Sequence, residues 1–245
     1  KVYILNIIIL SVLFSQDWDY SADIAEMKNK DGQKIKQFDG NVIINRGDLE
    51  LKTDKAIQYA QDNEIHLYGN IQMNDRQSNI TCQKLIYDID NEYGLGYNNV
   101  KIAQEDKIIF CDTLYYWDKK DSLEALGNVK IVQSNQRRRL SAQKMNMYKT
   151  DKDTQILKLI NSAQAFNKSE SKISKESPMR IFEDEITGSQ MKAVIYKDSL
   201  TYLNIFGMAT ANYHVIRDSL LIGINNVSGD SIMLNFKNDE LNKMK

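Results

Sequence analysis

The chain has 245 residues, with 32 basic and 33 acidic side chains and a net charge of −1. This balance excludes binding dominated by nucleic-acid phosphates, which requires a surplus of lysine and arginine. The two histidines lack neighbouring cysteines or carboxylates at a zinc-binding spacing, and neither a phosphate-binding loop nor a nucleophile motif occurs. We therefore expect a non-enzymatic protein without catalytic residues, metal or cofactor.

Residues 1–15 are predicted to be a secretory signal peptide. Lys1 is followed by an apolar run from Val2 to Phe14, and the small residue Ser15 ends it. Such a sequence is typical of exported proteins, and the run is shorter than the roughly 20 residues that span a membrane. A buried strand or helix is the less favoured alternative, because the run has no period-two or amphipathic pattern. We expect one domain over residues 16–245, outside the cytoplasm.

A repeat of 29 residues begins in the first third of the chain. Gly-Asn-Val or a close variant recurs at this interval, at residues 40–42, 69–71, 98–100 and 127–129. The small residues Thr53, Cys82 and Cys111 keep the same interval. A fixed period in this range indicates stacked supersecondary units. Each unit holds two short runs of alternating apolar and polar residues, which predicts strands with one buried face.

Cys82 and Cys111 occupy the same phase of successive units. Facing positions on paired strands are close enough for a disulfide in principle. The same phase also holds Thr53 and Ala142, which indicates that it requires a small inward side chain. We therefore favour two free, buried thiols and leave the disulfide open.

Beyond Tyr148 the repeat becomes irregular. Residues 160–163 resemble a degenerate Gly-Asn-Val unit, and Gly229-Asp230 resembles the second run of a unit. Residues 167–180 are rich in Ser, Lys and Glu and hold the only proline, which predicts a loop insertion. The two ends of the ladder, near residues 18–27 and 231–236, should be exposed edges that recruit further strands.

The repeat is similar to that of the OstA/LptA-like family. The similarity rests on Gly-Asn-Val-x-Ile and on a small residue followed by Asp and a later Tyr, as in Cys111-Asp112 with Tyr116. Gln83 and Gln143 depart from this motif, which has Asp there. The resemblance implies an all-β fold: an elongated, twisted antiparallel β-jellyroll with an open apolar groove.

The same resemblance implies a function. Members of the family carry lipopolysaccharide across the periplasm to the outer membrane, bind its acyl chains inside the jellyroll and stack head to tail. Implied partners are therefore lipopolysaccharide, further copies of the chain and other lipopolysaccharide-transport proteins at the inner and outer membranes. The alternative is a structural β-solenoid scaffold or surface protein. A carbohydrate-active β-helix enzyme is less favoured, because no cluster of carboxylates occurs.

The inward positions of the repeats form columns of apolar side chains. Stacked columns predict a long apolar trough and not a compact globular core. The candidate lipid-binding residues are Val42, Ile44, Leu51, Ile71, Met73, Ile80, Leu85, Val100, Ile102, Ile109, Leu114, Val129, Ile131, Leu140 and Met145. The alternative is that the walls of the trough meet and that these residues form an ordinary core. The sequence leaves both open.

Overall fold

Every regular element of the described chain is a β-strand. The computed structural model describes residues 18–30, 32–59, 61–75, 78–104, 106–117, 120, 122–133, 135–197, 199–237 and 240–244. The strands are β1 Asp19–Ser21, β2 Ile24–Lys30, β3 Gln33–Arg46, β4 Leu49–Tyr59, β5 Glu64–Asn74, β6 Ser78–Asp88, β7 Tyr93–Gln104, β8 Lys107–Trp117, β9 Ser122–Gln133, β10 Arg138–Lys149, β11 Thr154–Ser171, β12 Arg180–Tyr196, β13 Ser199–Arg217, β14 Leu220–Lys237 and β15 Glu240–Met244. The predicted all-β class is confirmed. The predicted signal peptide over residues 1–15 lies outside the described residues.

All fifteen strands belong to one antiparallel sheet. Both β1 and β2 pair with β3, and each later strand then pairs with the next one along the chain. Strands β1 and β15 therefore lie at opposite ends of the strand order. This arrangement makes the sheet long in the direction across its strands, and it agrees with the predicted elongated antiparallel β-jellyroll.

A row of β-bulges creases this sheet. Each odd-numbered strand from β3 to β13 has two consecutive residues with positive φ at its bulge. These pairs are Gly40–Asn41, Gly69–Asn70, Asn98–Asn99, Gly127–Asn128, Asn161–Ser162 and Gly207–Met208. An extra residue bends a strand at such a point, and the bulges lie in register along the sheet. The Gly-Asn-Val motif therefore encodes the crease, and the degenerate unit predicted at residues 160–163 is confirmed.

The crease divides the sheet into two walls that face each other. Wall A contains the part of each odd-numbered strand before its bulge, such as residues 93–97 of β7, and wall B contains the part after it, such as residues 100–104. The even-numbered strands run in the opposite direction, from wall B to wall A. Inward apolar residues of both walls form one buried cluster, which makes the interior a two-layered core.

A second side chain completes the commonest type of corner. In three corners an Asp on the neighbouring strand accepts a hydrogen bond of 2.9 Å from the Asn side chain, in the pairs Asp23–Asn41, Asp54–Asn70 and Asp112–Asn128. The carboxylate lies so close to the glycine that a Cβ atom on Gly40 would be 2.5 Å from Asp23 Oδ2. Gly is therefore required both for its positive φ and for the close approach of the Asp.

The two departures from the motif follow the same logic. Gln83 lies opposite the bulge of Asn98, and Gln143 lies opposite the bulge of Asn161. In both corners an Asn, which has a Cβ atom, stands in place of Gly, and the longer Gln stands in place of Asp. The substitutions thus occur in pairs, because a Cβ at the bulge takes the space that the short carboxylate occupies elsewhere.

Two predicted features differ in extent from the structure. Strand β11 continues to Ser171, and its residues 167–171 pair with residues 180–184 of β12. The connecting segment is therefore 172–179, shorter than the loop predicted over 167–180, because cross-strand pairing extends through a stretch whose composition alone is typical of a loop. At the C-terminal edge, β15 pairs with Leu234 to Lys237, so that part of the predicted edge at 231–236 is covered.

Candidate lipid-binding site

The columns predicted from the repeats meet in one apolar interior. Fourteen of the fifteen candidate residues are buried, with at most 8% of their surface exposed. The remaining one, Leu140, is partly buried and packs against the others. The same cluster continues through the C-terminal strands to Ile232 and Leu234. The structure therefore brings all fifteen positions together and extends their column beyond the repeats.

Along the repeats the two walls are in contact. Ile44 and Leu51 of wall B and Met145 of wall A are each 0% exposed, which leaves no room for water between the walls at these positions. In this conformation the interior of the repeats is a packed core. An acyl chain would reach these residues only if the walls moved apart.

Among the described residues, three of the contacts that join the walls lie along the side opposite the crease, and we call these three the rim contacts. They are the ion pair Arg46–Glu92, the ring pair Trp18–Tyr87 and the hydrogen bond from Tyr116 to Asp75. In the ion pair, Arg46 Nη2 lies 2.9 Å from Glu92 Oε1, and both side chains are 18% exposed. The guanidinium of Arg46 also lies over the Trp18 ring, at 5.2 Å from its centroid. These contacts close the side of the trough along the first three repeat units.

In the C-terminal third, longer strands enclose smaller side chains. Strands β11 to β14 have 17 to 19 residues, whereas β4 to β10 have 11 or 12. Both walls therefore extend further from the crease. On wall B the buried residues nearest the crease are alanines here, namely Ala163, Ala165, Ala209 and Ala211, whereas wall A keeps the larger Leu159, Met191, Ile205 and Ile232. Wall B therefore contributes less apolar area per residue to the contact between the walls in this region.

Exposed apolar side chains concentrate in the same region. Eight of the eleven large exposed apolar residues in the described part of the chain lie between residues 173 and 224. Ile181 of β12 is 67% exposed, and Ile222 and Ile224 of β14 are 56% and 55% exposed. Singly exposed apolar side chains are ordinary, but their concentration in one region favours a surface there that contacts lipid or protein.

Side chains replace part of the backbone ladder at the far end of wall B. The pairing of β12 with β13 ends at Glu185 and Asn212. Beyond this point, Asp184 Oδ1 accepts hydrogen bonds from the backbone N of His214 at 2.8 Å and from its Nδ1 at 2.9 Å. The loop adds a second link, because Lys172 N donates to Ser219 O and Leu221 N donates to Lys172 O, both at 2.8 Å. Because side chains take the place of ladder pairs between β12 and β13 here, these two strands can separate locally more readily than strands joined by a full ladder.

The described residues hold neither a cluster of metal ligands nor an exposed thiol. Within them, no group of three His, Cys, Asp or Glu side chains is placed to hold a metal ion. Cys82 and Cys111 are both free and buried. Burial raises the pKa of the Cys82 thiol to about 11 and that of the Cys111 thiol to about 12. Since the thiolate is the nucleophile, neither cysteine is suited to catalysis near neutral pH.

The rim contacts and the Asp184–His214 link could not be found from the repeat. Arg46 and Glu92 are 46 residues apart, and Asp184 and His214 are 30 residues apart. Neither separation is a multiple of the 29-residue period, so the repeat pattern does not indicate that the two residues of either pair meet. Only the folding of one wall onto the other, and the divergence of β12 from β13, bring these side chains together.

Comparison with known families supports the resemblance of the repeat. Residues 90–173 match the family model described as OstA-like protein. The matched stretch includes β7 to β11, which form the later repeat units and the first strand of the C-terminal third. Among curated proteins no match was found. No helix in the described residues is long and apolar enough to cross a membrane. Residues 90–173 are therefore similar to an OstA-like domain, in agreement with the resemblance of the repeat to the OstA/LptA-like family.

Proposed function

We propose that this protein is a non-enzymatic lipid-binding module that carries lipopolysaccharide across the periplasm to the outer membrane. The observation that carries the proposal is a single apolar interior that runs from Phe38 to Leu234, through a stretch with an OstA-like domain. The candidate residues of the repeats would contact the acyl chains of lipid A. The predicted signal peptide would deliver the chain to the periplasm.

The energetics of this interior suit a carrier. Each methylene group of an acyl chain that leaves water contributes ~0.8 kcal/mol. When the walls separate to admit a chain, contacts between wall and wall are replaced by contacts between wall and lipid, and both kinds are apolar. The free-energy cost of opening the core is therefore offset by the contacts that the bound acyl chain makes with the walls. Many interchangeable contacts of this kind also permit release, which one tight pocket would hinder.

The C-terminal third is the place where acyl chains would first enter. Wall B is lined by alanines there and offers less apolar area to wall A than it does in the repeats, and its far end is joined by the Asp184–His214 link. Ile224, which pairs with His214, and Ile181, on the same strand as Asp184, already expose apolar surface near this link. Separation of the walls would then spread from this end into the repeats.

Both ends of the sheet are suited to contact with further copies. Ile24 and Met27 on β2 are 55% and 69% exposed, and Ile222 and Ile224 are similarly exposed on β14 at the other end of the strand order. Edge strands that carry apolar side chains recruit other strands. A head-to-tail homo-oligomer, completed by lipopolysaccharide-transport proteins at the inner and outer membranes, would extend the apolar interior across the periplasm.

Site-specific photo-crosslinking in the native envelope tests the proposal. A crosslinker in place of Ile71, Val100 or Ile102 should capture lipopolysaccharide, because these side chains point between the walls. The matched control is Lys101, an exposed residue next to Ile102 on the same strand, which should capture none. Equal labelling at positions 101 and 102 would show that the columns are not a lipid path.

The closed core of the repeats favours a second candidate function. Side chains that are 0% exposed are also typical of a purely structural protein, such as a scaffold assembled through its end strands. If no inward position captured lipopolysaccharide while the protein still assembled end to end in the envelope, the scaffold would be the better description.

A further inference from the structure

Three aromatic rings form a platform on the outer face of wall A. Tyr93 of β7 lies directly opposite Trp117 of β8, and the next outward position of β8 is Tyr115. The ring centroids of Tyr93 and Trp117 are 5.2 Å apart, and those of Tyr115 and Trp117 are 6.2 Å apart with an angle of only 16° between the rings. All three residues are partly exposed. We call them the aromatic platform.

The platform does not belong to the lipid-binding interior. Gly94, which follows Tyr93, and Tyr116, which lies between Tyr115 and Trp117, point inward. Gly94 is buried close to Leu85 and Tyr87. The alternation of a strand therefore places the platform on the opposite face of the wall. The fold does not require large rings at neighbouring outward positions. On β9 and β10, for example, the outward residues Glu124 and Asn146 face each other, and both are polar.

A polar depression borders the platform. It is lined by Tyr93, Trp117, Asp88, Asp90, Asn91 and Lys120. Hydrogen bonds order its turn: Asp88 accepts from the backbone N of Asn91 at 2.9 Å and from its side chain at 2.8 Å. Asp90 accepts from the side chain of Asn63 at 2.9 Å. Carboxylate, amide, ammonium and phenol groups thus stand next to two flat rings in a turn that is already formed.

The phenol of Tyr93 is a hydrogen-bond donor over the whole physiological pH range. Its burial, followed by the proximity of Tyr115, Tyr97 and Glu124, raises the pKa of Tyr93 to about 12. The depression therefore offers both donors and acceptors beside the rings.

These features together select one class of ligand. Single-stranded nucleic acid also stacks on aromatic rings, but it needs a basic groove, and this depression holds two Asp side chains and one Lys. An acyl chain would remove water from these polar and charged groups and offer them no hydrogen bond in return. A pyranose ring matches both parts of the site, because its C–H face packs on an aromatic ring while its hydroxyl groups donate to carboxylates and accept from amide or ammonium groups.

We propose that the aromatic platform and its polar depression bind a pyranose chain on the outside of the protein. The inference does not depend on lipid carriage, since the site shares no residue with the interior columns. The chain could come from the saccharide part of lipopolysaccharide or from a cell-wall glycan. The chemistry of recognition is the same for both.

Binding of defined saccharides to the purified chain tests the proposal. The probes are the deacylated oligosaccharide of lipopolysaccharide, a tetramer of N-acetylglucosamine and cellotetraose, none of which has acyl chains for the interior. In a Trp18→Phe background Trp117 is the only tryptophan, so its fluorescence reports on the platform, and calorimetry gives the affinity. We expect at least one probe to bind, and Trp117→Ala or Tyr93→Ala to weaken that binding about tenfold, the scale of one lost stacked ring.

The control is Phe110→Ala, which removes a ring that is 38% exposed on β8 but lies on wall B, across the crease from the platform, and should leave the affinity unchanged. Binding of the lipopolysaccharide oligosaccharide alone, or of the N-acetylglucosamine tetramer alone, would support the site and identify its source of ligand. Should Trp117→Ala fail to fold, Tyr115→Ala decides in the same way. The proposal is overturned if none of the three probes binds, or if binding persists in a folded variant that lacks a platform ring.

Discussion

The repeats and the C-terminal third share one type of corner but differ in what the corner encloses. Positive φ angles at paired bulge residues recur from Gly40 in the first unit to Gly207 in β13. On the inner face of wall B, however, the repeats place branched aliphatic residues such as Ile44 and Ile102, whereas the C-terminal third places alanines such as Ala163 and Ala209. The corner therefore determines the folded sheet, and the inward side chains determine how firmly its walls adhere.

This difference has a consequence for dynamics. A buried Ile or Leu contributes about 1.5–3 kcal/mol relative to an exposed one, while an alanine contributes much less. The repeats should consequently open far less readily than the far end of wall B, which is held by the Asp184–His214 link and should open locally. Four variants or sets of variants test this comparison.

A buried charge should have the largest effect. Ile102→Asp places a carboxylate at a position that is 1% exposed, and an unpaired buried charge destabilises a fold by several kcal/mol. We expect this variant to be largely unfolded in thermal denaturation. The control is Ile224→Asp, at a position that is 55% exposed, which should melt within a few degrees of wild type. A folded Ile102→Asp protein would mean that the walls of the repeats separate readily in solution.

Enlargement of a small inward residue should have the next largest effect. Cys82 is 3% exposed and its Sγ contacts Lys84 O at 3.4 Å, so Cys82→Phe overpacks the closed core at a cost of ~1–3 kcal/mol. Cys82→Ala should cost less. Ala211→Phe, in the C-terminal third, should also cost less than Cys82→Phe, because the walls can move apart there. Urea denaturation of the three variants ranks them, and equal losses for the two Phe variants would contradict a looser C-terminal third.

An exchange of corner residues should have a smaller effect that can be reversed. Gly69→Asn puts a Cβ against the carboxylate of Asp54 and should cost ~1–2 kcal/mol. The double variant Asp54→Gln with Gly69→Asn reproduces the corner of Gln83 and Asn98, and part of the lost stability should return. The coupling free energy from a double-mutant cycle measures this recovery. Simple additivity of the two single variants would show that the paired departures are coincidental.

The sequence predicts the repeated part of the fold well. Period-two alternation reveals the strands, and the Gly-Asn pairs mark the bulges, because both signals are local and occur again in every unit. The degenerate unit at residues 160–163 could be predicted for the same reason, since Asn161 and Ser162 keep the bulge although Gly is lost.

What depends on distant contacts could not be predicted. Residues 167–171 have the composition of a loop, and only their pairing with β12 makes them part of a strand. Whether the columns form a groove or a core depends on the distance between the walls, which the rim contacts and the side-chain volumes set together. The aromatic platform arises from Tyr93 and Trp117 on different strands, and only the cross-strand register places them opposite each other.

Loss of a rim contact should have the smallest effect on stability and a clear effect on opening. The ion pair between Arg46 and Glu92 is partly exposed, at 18% for both side chains, and such pairs contribute ~0–1 kcal/mol. Glu92→Gln removes the charge but retains the shape of the side chain, so the free energy of unfolding should change by less than about 1 kcal/mol. The rate at which the walls separate should nevertheless rise, because this pair bridges them directly.

The two buried thiols report on this separation. Burial raises the pKa of the Cys82 thiol to about 11 and that of Cys111 to about 12, so that at pH 8 both are protonated and shielded in the closed protein, and a thiol reagent reacts only after opening. Labelling in Glu92→Gln should therefore be faster than in wild type at equal global stability. The control is Glu26→Gln, which breaks the exposed Lys28–Glu26 pair on β2 and should not alter the labelling rate. If both variants were labelled at the wild-type rate, the walls of the repeats would be held by their apolar core alone, and lipid would have to enter through the C-terminal third without any opening of the rim.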